Sequence, residues 1–469
     1  MNRHYVVLLL WLLAAGPGPA WTQDAVDLVI LHQNDTHGTL YPFRTDEGAE
    51  FGGIARLATL VSRIRAEMHG RVLLLHGGDI LSRGCPLTVH YGGEADLAAI
   101  DRIGYDVLTP GNGDFYFGVA NLVGLASLAR LDFVHANARY RRTGAAIFPP
   151  YVVKQVGDVK VGILGLGAVR EDHPAAWTLT VDDPVALARR YVPQLRQETD
   201  LVVVLSHLGL RADSALAVAV PQIDLIVGGH SHSLLQTPSR IARPAGRGEV
   251  VIAQAGNQGQ YLGRLDVHLV KEAGRLRLVR VDGRLVPVDT TIEPDPEIGA
   301  LLNRYAAPLE EVVCVAEAAL ANPASGATPL GARVMQAVCA ETRAELALLD
   351  RGAVHDSLEA GDVTLAEVER LHPWRNRVLL LSLTGRQIGQ VLGSTQALAA
   401  DCGNGESAPE AQSLQIGGAP VDSARVYVVA AGEYLVWNTP LLRDLPADDT
   451  GRRIDTILHR HWRRLGVLR

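Results

Sequence analysis

The chain has 469 residues, 48% hydrophobic and 20% charged, which is enough apolar material for two or three domain cores and excludes a disordered or fibrous chain. The formal net charge of −7 argues against a general polyanion binder, which would carry a basic surplus. The four cysteines, Cys85, Cys314, Cys339 and Cys402, form no C-x-x-C pair, which argues against a cysteine metal site or a thioredoxin-like motif.

At the N-terminus, MNRHY carries an arginine, VVLLLWLLAA is an apolar run and GPGPAWTQ supplies helix breakers and small residues. This order predicts a secretory signal peptide over residues 1–22, cut after Ala20 or Thr22. The apolar run is about half of the ~20 residues that a spanning helix needs. The mature chain is therefore expected to be periplasmic or secreted, with no stable membrane insertion. An oxidising compartment permits disulfides, but the spacing of the cysteines leaves their pairing open.

Apolar strands then alternate with helical segments. DLVILHQND predicts a strand, GGIARLATLVSRIRAEM a helix and RVLLLHGGD a second strand. The helix-like EADLAAIDRIG follows, then the strand YDVLTPGN and, further on, DLVVVLSH and DLIVGGH. Continuous Val/Ile/Leu runs are the mark of buried parallel strands, so this alternation predicts a layered α/β domain. YVVKQVGDVKVGILGLG and LDVHLVKEAGRLRLVRVDG predict hairpins turning at Gly157-Asp158 and near Gly274. The polar, proline-punctuated VDTTIEPDPE marks a boundary near residue 290. The expected organisation is a first domain over 23–290, a connecting helix over 291–313 and a second α/β domain over 314–469.

The ends of the predicted strands carry the chemistry. Asp35 and His37 follow the first, in NDTHG; Asp79 follows the second, in HGGD; Asn112 follows the third, in TPGNGDFYFG. Two later strands end in His207, in LSHLG, and in His230 with His232, in GGHSH. In an open α/β sheet all C-terminal strand ends face one crevice, so these residues can converge there. All seven offer imidazole nitrogen or hard oxygen and none offers sulfur. That is more than one four-coordinate zinc takes, whereas two ions sharing a carboxylate would use them all.

NDTHG, GGD, GN, SHLG and GGHSH, in that order, resemble the calcineurin-like metallophosphoesterases, and more closely the secreted bacterial 5′-nucleotidase and UDP-sugar hydrolase family. AELALLDRGAVHDSLEAGDVTLAEVERLHPWRNRVLLLSLTG is similar to that family's C-terminal substrate domain. The resemblance implies a calcineurin-like α/β sandwich followed by a second α/β domain, with two divalent ions (Mn, Zn or similar) as cofactors. It implies one ion on Asp35, His37, Asp79 and His232, and another on Asp79, Asn112, His207 and His230, with Asp79 bridging. It further implies a small phosphate ester such as a nucleotide as substrate, and in-line attack on phosphorus by a hydroxide between the ions.

Against that family the chain departs at three places. The family reads Gly-Asn-His-Glu/Asp-Phe-Asp where this chain has Gly111-Asn112-Gly113-Asp114-Phe115-Tyr116, so the histidine that would steady the transition state is Gly113 and the aspartate that would orient it is Tyr116. The Gly-Gly-x-Arg signature is Gly352-Ala353-Val354-His355, which puts His355 where an arginine would face the substrate. Pro-Phe-x-Asn survives as Pro373-Trp374-Arg375-Asn376, and Tyr434 falls where a second stacking aromatic belongs, but no arginine cluster stands near ALANPASGATPLG. His76 is readable either as a support for the site or as a structural strand-end histidine, and Tyr116 is expected to fill the histidine's space. In RRIDTILHRHWRRLGVLR, residues Ile454, Ile457, Leu458, Trp462 and Leu465 share a helical face expected to dock on the domain body. The rival functions are a thiohydrolase-like hydrolase of a non-phosphate ester on the same scaffold and a metal-holding binding protein with weakened turnover.

Overall fold

The computed structural model describes residues 25–81, 85–170, 177–244, 248–272, 274–322, 328–394, 397–403, 407–408 and 414–469. The expected signal peptide lies outside the described residues. Among them, no helix is long and apolar enough to cross a membrane.

Two six-stranded sheets lie face to face in the first part of the chain. In one, Ala25–Gln33, Val72–His76 and Val107–Leu108 run parallel side by side. In the other, Val159–Gly167, Leu201–His207, Leu225–Val227 and Glu249–Ala253 do the same. The reason is legible along each strand. Leu28, Ile30, Leu73 and Leu75 point inward against Ile163, Val203, Leu205 and Val227, forming one apolar layer. Their neighbours Val29, Leu31 and Leu74 point outward to the helices Ile54–Glu67 and Glu94–Ile103. Val202 and Val204 meet the helices Pro184–Glu198 and Leu210–Ala219 in the same way. A strand covered on both faces must be apolar at every position, which is why these runs show no polar alternation.

Both expected hairpins are present: Tyr151–Val156 with Val159–Gly167, and Tyr261–Glu272 with Arg275–Pro287. Between the two halves, Pro296–Ala306 is helical because Asp295 caps it, its carboxylate accepting the N–H groups of Glu297 and Ile298, with proline at the first turn. A short 3-10 turn, Ala307–Glu310, ends it before the strand Val312–Ala316. The C-terminal part holds a mixed six-stranded sheet and a three-stranded sheet. The last helix, Ile454–Leu465, docks on the body through Ile454, Ile457, Leu458 and the fully buried Trp462. Leu465 departs from the expected face and is 54% exposed, because the helix stops there at Gly466.

Cys339, on the helix Pro329–Thr342, is disulfide-bonded to Cys402 at the end of the strand Ala397–Asp401, while Cys85 and Cys314 are free. The bridge closes a loop across a sequence separation of 63, which corresponds to about 4 kcal/mol of chain entropy removed from the unfolded state. Replacing both bridge cysteines by serine should lower the calorimetric melting temperature of the C-terminal part by several degrees. An unchanged transition would show that the bridge contributes nothing.

Candidate metal centre

The strand-end residues sit on the rims of both sheets, and the contact between the rims brings Asp35, His37, Asp79, His207, His230 and His232 together, with Asn112 on the turn whose Gly113 bonds Asp79. The carbonyl of Gly77, behind one sheet, accepts from Nδ1 of His207 in the other at 2.6 Å. Because a carbonyl only accepts, Nδ1 carries the proton, and in the neutral ring Nε2 is left as a lone-pair donor turned toward the carboxylates. That Nε2 lies 3.3 Å from Asp79 Oδ1 and 3.8 Å from Asp35 Oδ1. On the other side, His37 Nε2 is 3.8 Å from Asp35 Oδ1 and 4.0 Å from Asp79 Oδ2, and His232 Nε2 is 3.4 Å from Asp35 Oδ1. Two groups of potential ligands result, Asp35 with His37 and His232, and Asp35 with Asp79 and His207. Asp79 turns one oxygen to each set. His230 stands beside the second, its ring 5.2 Å from that of His207.

Three atoms of the set have no hydrogen-bond partner. Asp35 Oδ1, Asn112 Oδ1 and His207 Nε2 are all buried and unpartnered among the described residues. The other oxygen of Asp35 accepts from Asn34 Nδ2 and from the N–H of His230, so its orphan oxygen is fixed in direction. Buried polar atoms normally find partners, and orphans of this kind call for an ion or water. Oxygen and imidazole donors without sulfur fit divalent ions of borderline or hard character.

Electrostatics agree with that fit. Burial disfavours the charge on His207, but the carboxylates of Asp79 and Asp35 together raise the imidazole to about 9, so that a proton or a cation at Nε2 answers them. Burial likewise opposes ionisation of Asp79, and His207 and His37 overcome it, taking the carboxyl down to about 2. Positive charge at this point is what the two carboxylates demand.

The backbone is strained at the candidate ligands. Asp35, His37, Asp79, His230 and His232 all have positive φ, between 50° and 75°. Residues other than glycine seldom adopt this region, and clusters of them mark functional sites. Asp114 holds two of these loops. Its fully buried carboxylate accepts the N–H groups of Asp79 and Gly111 at 2.8 Å and that of Leu81 at 3.0 Å. Gly111 allows the approach, because a Cβ there would stand 2.2 Å from Asp79 Oδ1 and 2.5 Å from His207 Nε2. His76 is buried and structural in its contacts. Burial lowers it to about 3, and the neutral ring accepts the Gly78 N–H at Nδ1 and donates from Nε2 to Thr36.

Gly113 donates its N–H to Asp79 Oδ1 at 2.7 Å, and Tyr116 caps the short 3-10 turn Gly113–Phe115. Tyr116 lines a cleft of about 1390 Å³ between the two parts of the chain. Trp374 lines the same cleft, with its Nε1 donating to the Gly352 carbonyl and its ring 6.0 Å from that of His355. Tyr434 does not line the cleft. It is 42% exposed, while Glu433 and Trp437 on the same helix do line it. Sequence reasoning missed Asp114, Trp177, Trp437 and the arginines of this cleft, among them Arg141, Arg142, Arg375 and Arg453. They come from distant segments, and only Arg375 carried a local signal, as a neighbour of Trp374.

Residues 28–234 match the family model for the calcineurin-like phosphoesterases, and residues 307–438 match that for the C-terminal domain of 5′-nucleotidases. The chain belongs to the 5′-nucleotidase family. The Salmonella typhimurium protein named silent protein UshA(0) is 27% identical, over 90% of this chain and 88% of its own length. A 5′-nucleotidase of Vibrio vulnificus is 26% identical over 83% and 79%. The crystal structure of a 5′-nucleotidase precursor from Thermus thermophilus superposes with a TM-score of 0.63 at 25% identity, covering 95% of this chain and 97% of that one.

Asp114 supplies a test of the loop geometry that needs no substrate. Asp114→Ala strands three buried N–H groups, each worth roughly 1–3 kcal/mol when unsatisfied, so unfolding stability should fall by about 3 kcal/mol or more. Denaturant titration measures it. A loss under ~1 kcal/mol would show that the carboxylate does not hold the loops.

Proposed function

We propose that the chain is an exported hydrolase of phosphoric esters working with two divalent ions. The observation that carries this reading is the set of three buried, unpartnered donor atoms, Asp35 Oδ1, Asn112 Oδ1 and His207 Nε2, among five strained ligand positions. One ion is assigned to Asp35, His37, Asp79 and His232, and the other to Asp79, Asn112, His207 and His230. The two oxygens of Asp79, turned to the two histidine sets, support it as the bridge. When bound, two such ions supply an activated water and the positive charge that favours in-line displacement at phosphorus.

The chain's own groups divide the remaining work. Gly77 and Asp114 hold His207 and the Asp79 and Asn112 loops in place before substrate arrives. Asn112 offers a neutral oxygen, which adds a ligand without adding negative charge. The cleft beside Tyr116 receives the leaving group, with Trp374 and His355 as substrate contacts; Tyr434 remains a candidate only from its position in the chain. The two domains are assigned to 23–290 and 314–469, joined by 291–313. The Cys339–Cys402 bridge supports export, with residues 1–22 as the leader.

Gly113 and Tyr116 stand where a histidine and its orienting aspartate would be expected, and we infer that this dyad is lost. That loss favours a second reading, in which the site keeps its metals but turns over slowly or acts on a non-phosphate ester. Elemental analysis of protein purified without chelator should find two divalent ions per chain. One or none would sink the dinuclear reading. Asp79→Ala should release more metal than His37→Ala, and equal loss from both would remove Asp79 from the bridge.

Without the dyad, hydrolysis should depend steeply on the leaving group. Activated esters such as p-nitrophenyl phosphate should be cleaved faster than AMP by up to the ~10²–10³ that one charge-stabilising donor is worth. Equal rates would show that another group replaces it. No hydrolysis of any phosphate ester with both metals bound would favour the second reading.

A further inference from the structure

Away from the strand ends and the cleft, a second set of metal-ligating side chains gathers where the two parts of the chain meet. Its members are His90 on the helix Pro86–Tyr91, Glu369 on the helix Leu365–Leu371 and His459 on the helix Ile454–Leu465. The first of these helices packs on the second, and the second on the third. None of the three residues lines the cleft beside Tyr116.

Glu369 is the unusual member. It is 3% exposed, and a charged side chain seldom goes so deep without a partner. His90 Nδ1 meets one of its carboxylate oxygens at 2.8 Å, and because an ionised carboxylate only accepts, the ring nitrogen donates. The other oxygen is buried and has no hydrogen-bond partner among the described residues. No described lysine or arginine lies within ion-pair distance of it, and the Arg375 guanidinium acts on the carboxylate from farther off.

His459 presents the same shortage. Its Nε2 is buried and unpartnered. Asp455, His459 and Trp462 stand at i, i+4 and i+7, and since Asp455 and Trp462 are buried, the imidazole shares the face that docks on the body. Burial holds the ring below the ordinary histidine value, with Glu369 the foremost charge acting against that shift and His90 acting with it. A neutral imidazole is the form that binds metal. The two orphan atoms are not bonded to each other, so satisfying both takes a further group.

We propose that His90, Glu369 and His459 form a further metal site, taking one zinc ion between the N-terminal and C-terminal parts of the chain. Two imidazoles and one carboxylate are a donor set that zinc accepts at about 2.0–2.2 Å, with water completing four-coordination. A divalent ion answers both the buried negative charge and the unpartnered imidazole, whereas a water molecule brings no charge to Glu369. His459 stands beyond hydrogen-bond reach of Glu369, so the set closes by rotation of that side chain as the ion enters. His90 and Glu369 are 279 positions apart in the chain, so the ion clips distant segments together and stabilises the joint rather than the reacting centre. The site does not depend on the phosphoester reading.

The test dialyses the full chain against zinc and counts bound ions by elemental analysis in the wild type, His90→Ala, Glu369→Gln and His459→Asn. His90 is only partly buried and Glu369→Gln keeps the side-chain shape, so at least these two variants should fold, which circular dichroism checks. Wild type should hold one zinc per chain more than each variant, whatever number the strand-end set retains. Calorimetric titration should show that binding step weakened in each variant by more than the ~10–100-fold that loss of an outer partner of a metal ligand costs. Zinc should also raise the melting temperature of wild type further than that of any variant. Equal zinc counts in wild type and all three variants would overturn the proposal and leave the trio a hydrogen-bonded network. Loss of the ion in His90→Ala with full retention in His459→Asn would overturn it too, because the third ligand would be absent. If the variants lose one zinc as expected while no chain hydrolyses any phosphate ester, this site stands and the phosphoester reading falls.

Discussion

Two buried carboxylates facing one point set the terms for everything around them. Asp35 and Asp79 are almost inaccessible, and each turns an oxygen toward the same cluster of imidazoles. Like charges held this close cannot both stay ionised in a low-dielectric interior unless positive charge is brought to them. The chain supplies part of it by raising His207 to about 9. It also holds backbone strain in the arrangement, with five candidate ligand positions in the left-handed region. A fold that tolerates such positions must hold them from outside, and the carboxylate of Asp114 on three N–H groups is one such hold.

That constraint also explains why the site lies where two sheets meet. One sheet alone would offer Asp35, His37, Asp79 and Asn112, three oxygen donors and a single imidazole; the second brings His207, His230 and His232. The sandwich keeps the rims in register through its apolar middle layer, and the Gly77 carbonyl on His207 Nδ1 is the point where that register reaches the chemistry. The C-terminal part packs alongside, so that Tyr116, a few residues beyond Asn112, already belongs to the wall of the interdomain cleft.

Much of this was legible in the sequence, and the limits of what was legible are physical. Buried parallel strands announce themselves as unbroken apolar runs, and a ligand at a strand's C-terminal end lies beside its own signal, as in GGD or GGHSH. The hairpins at Gly157 and Gly274 were visible for the same local reason. Asp114 was not, because a carboxylate that accepts backbone N–H groups from loops 79–81 and 111 looks in sequence like any turn residue. The cleft was hidden more thoroughly: Arg141, Arg142, Trp177 and Trp437 acquire meaning only when two domains face each other. Tyr434 stands at a plausible spacing, on a helix whose Glu433 and Trp437 line the cleft. The pairing of Cys339 with Cys402 likewise depends on a helix and a strand meeting in space.

The glycine at 113 bears on how this loop can change over time. A Cβ at that position would lie 3.1 Å from Asp79 Oδ1 and 3.2 Å from its Cγ, closer than side chains ordinarily come. The backbone has closed on the carboxylate, and the Gly113 N–H is bonded to it. A substitution from glycine to any other residue therefore presses first on Asp79, which must give by a few tenths of an ångström. Asp79 or the turn carrying residue 113 has to shift to admit a side chain there. Such a contact works as a ratchet: with the loop tightened onto Asp79, sequence drift is admitted more readily in the neighbouring cleft than at residue 113.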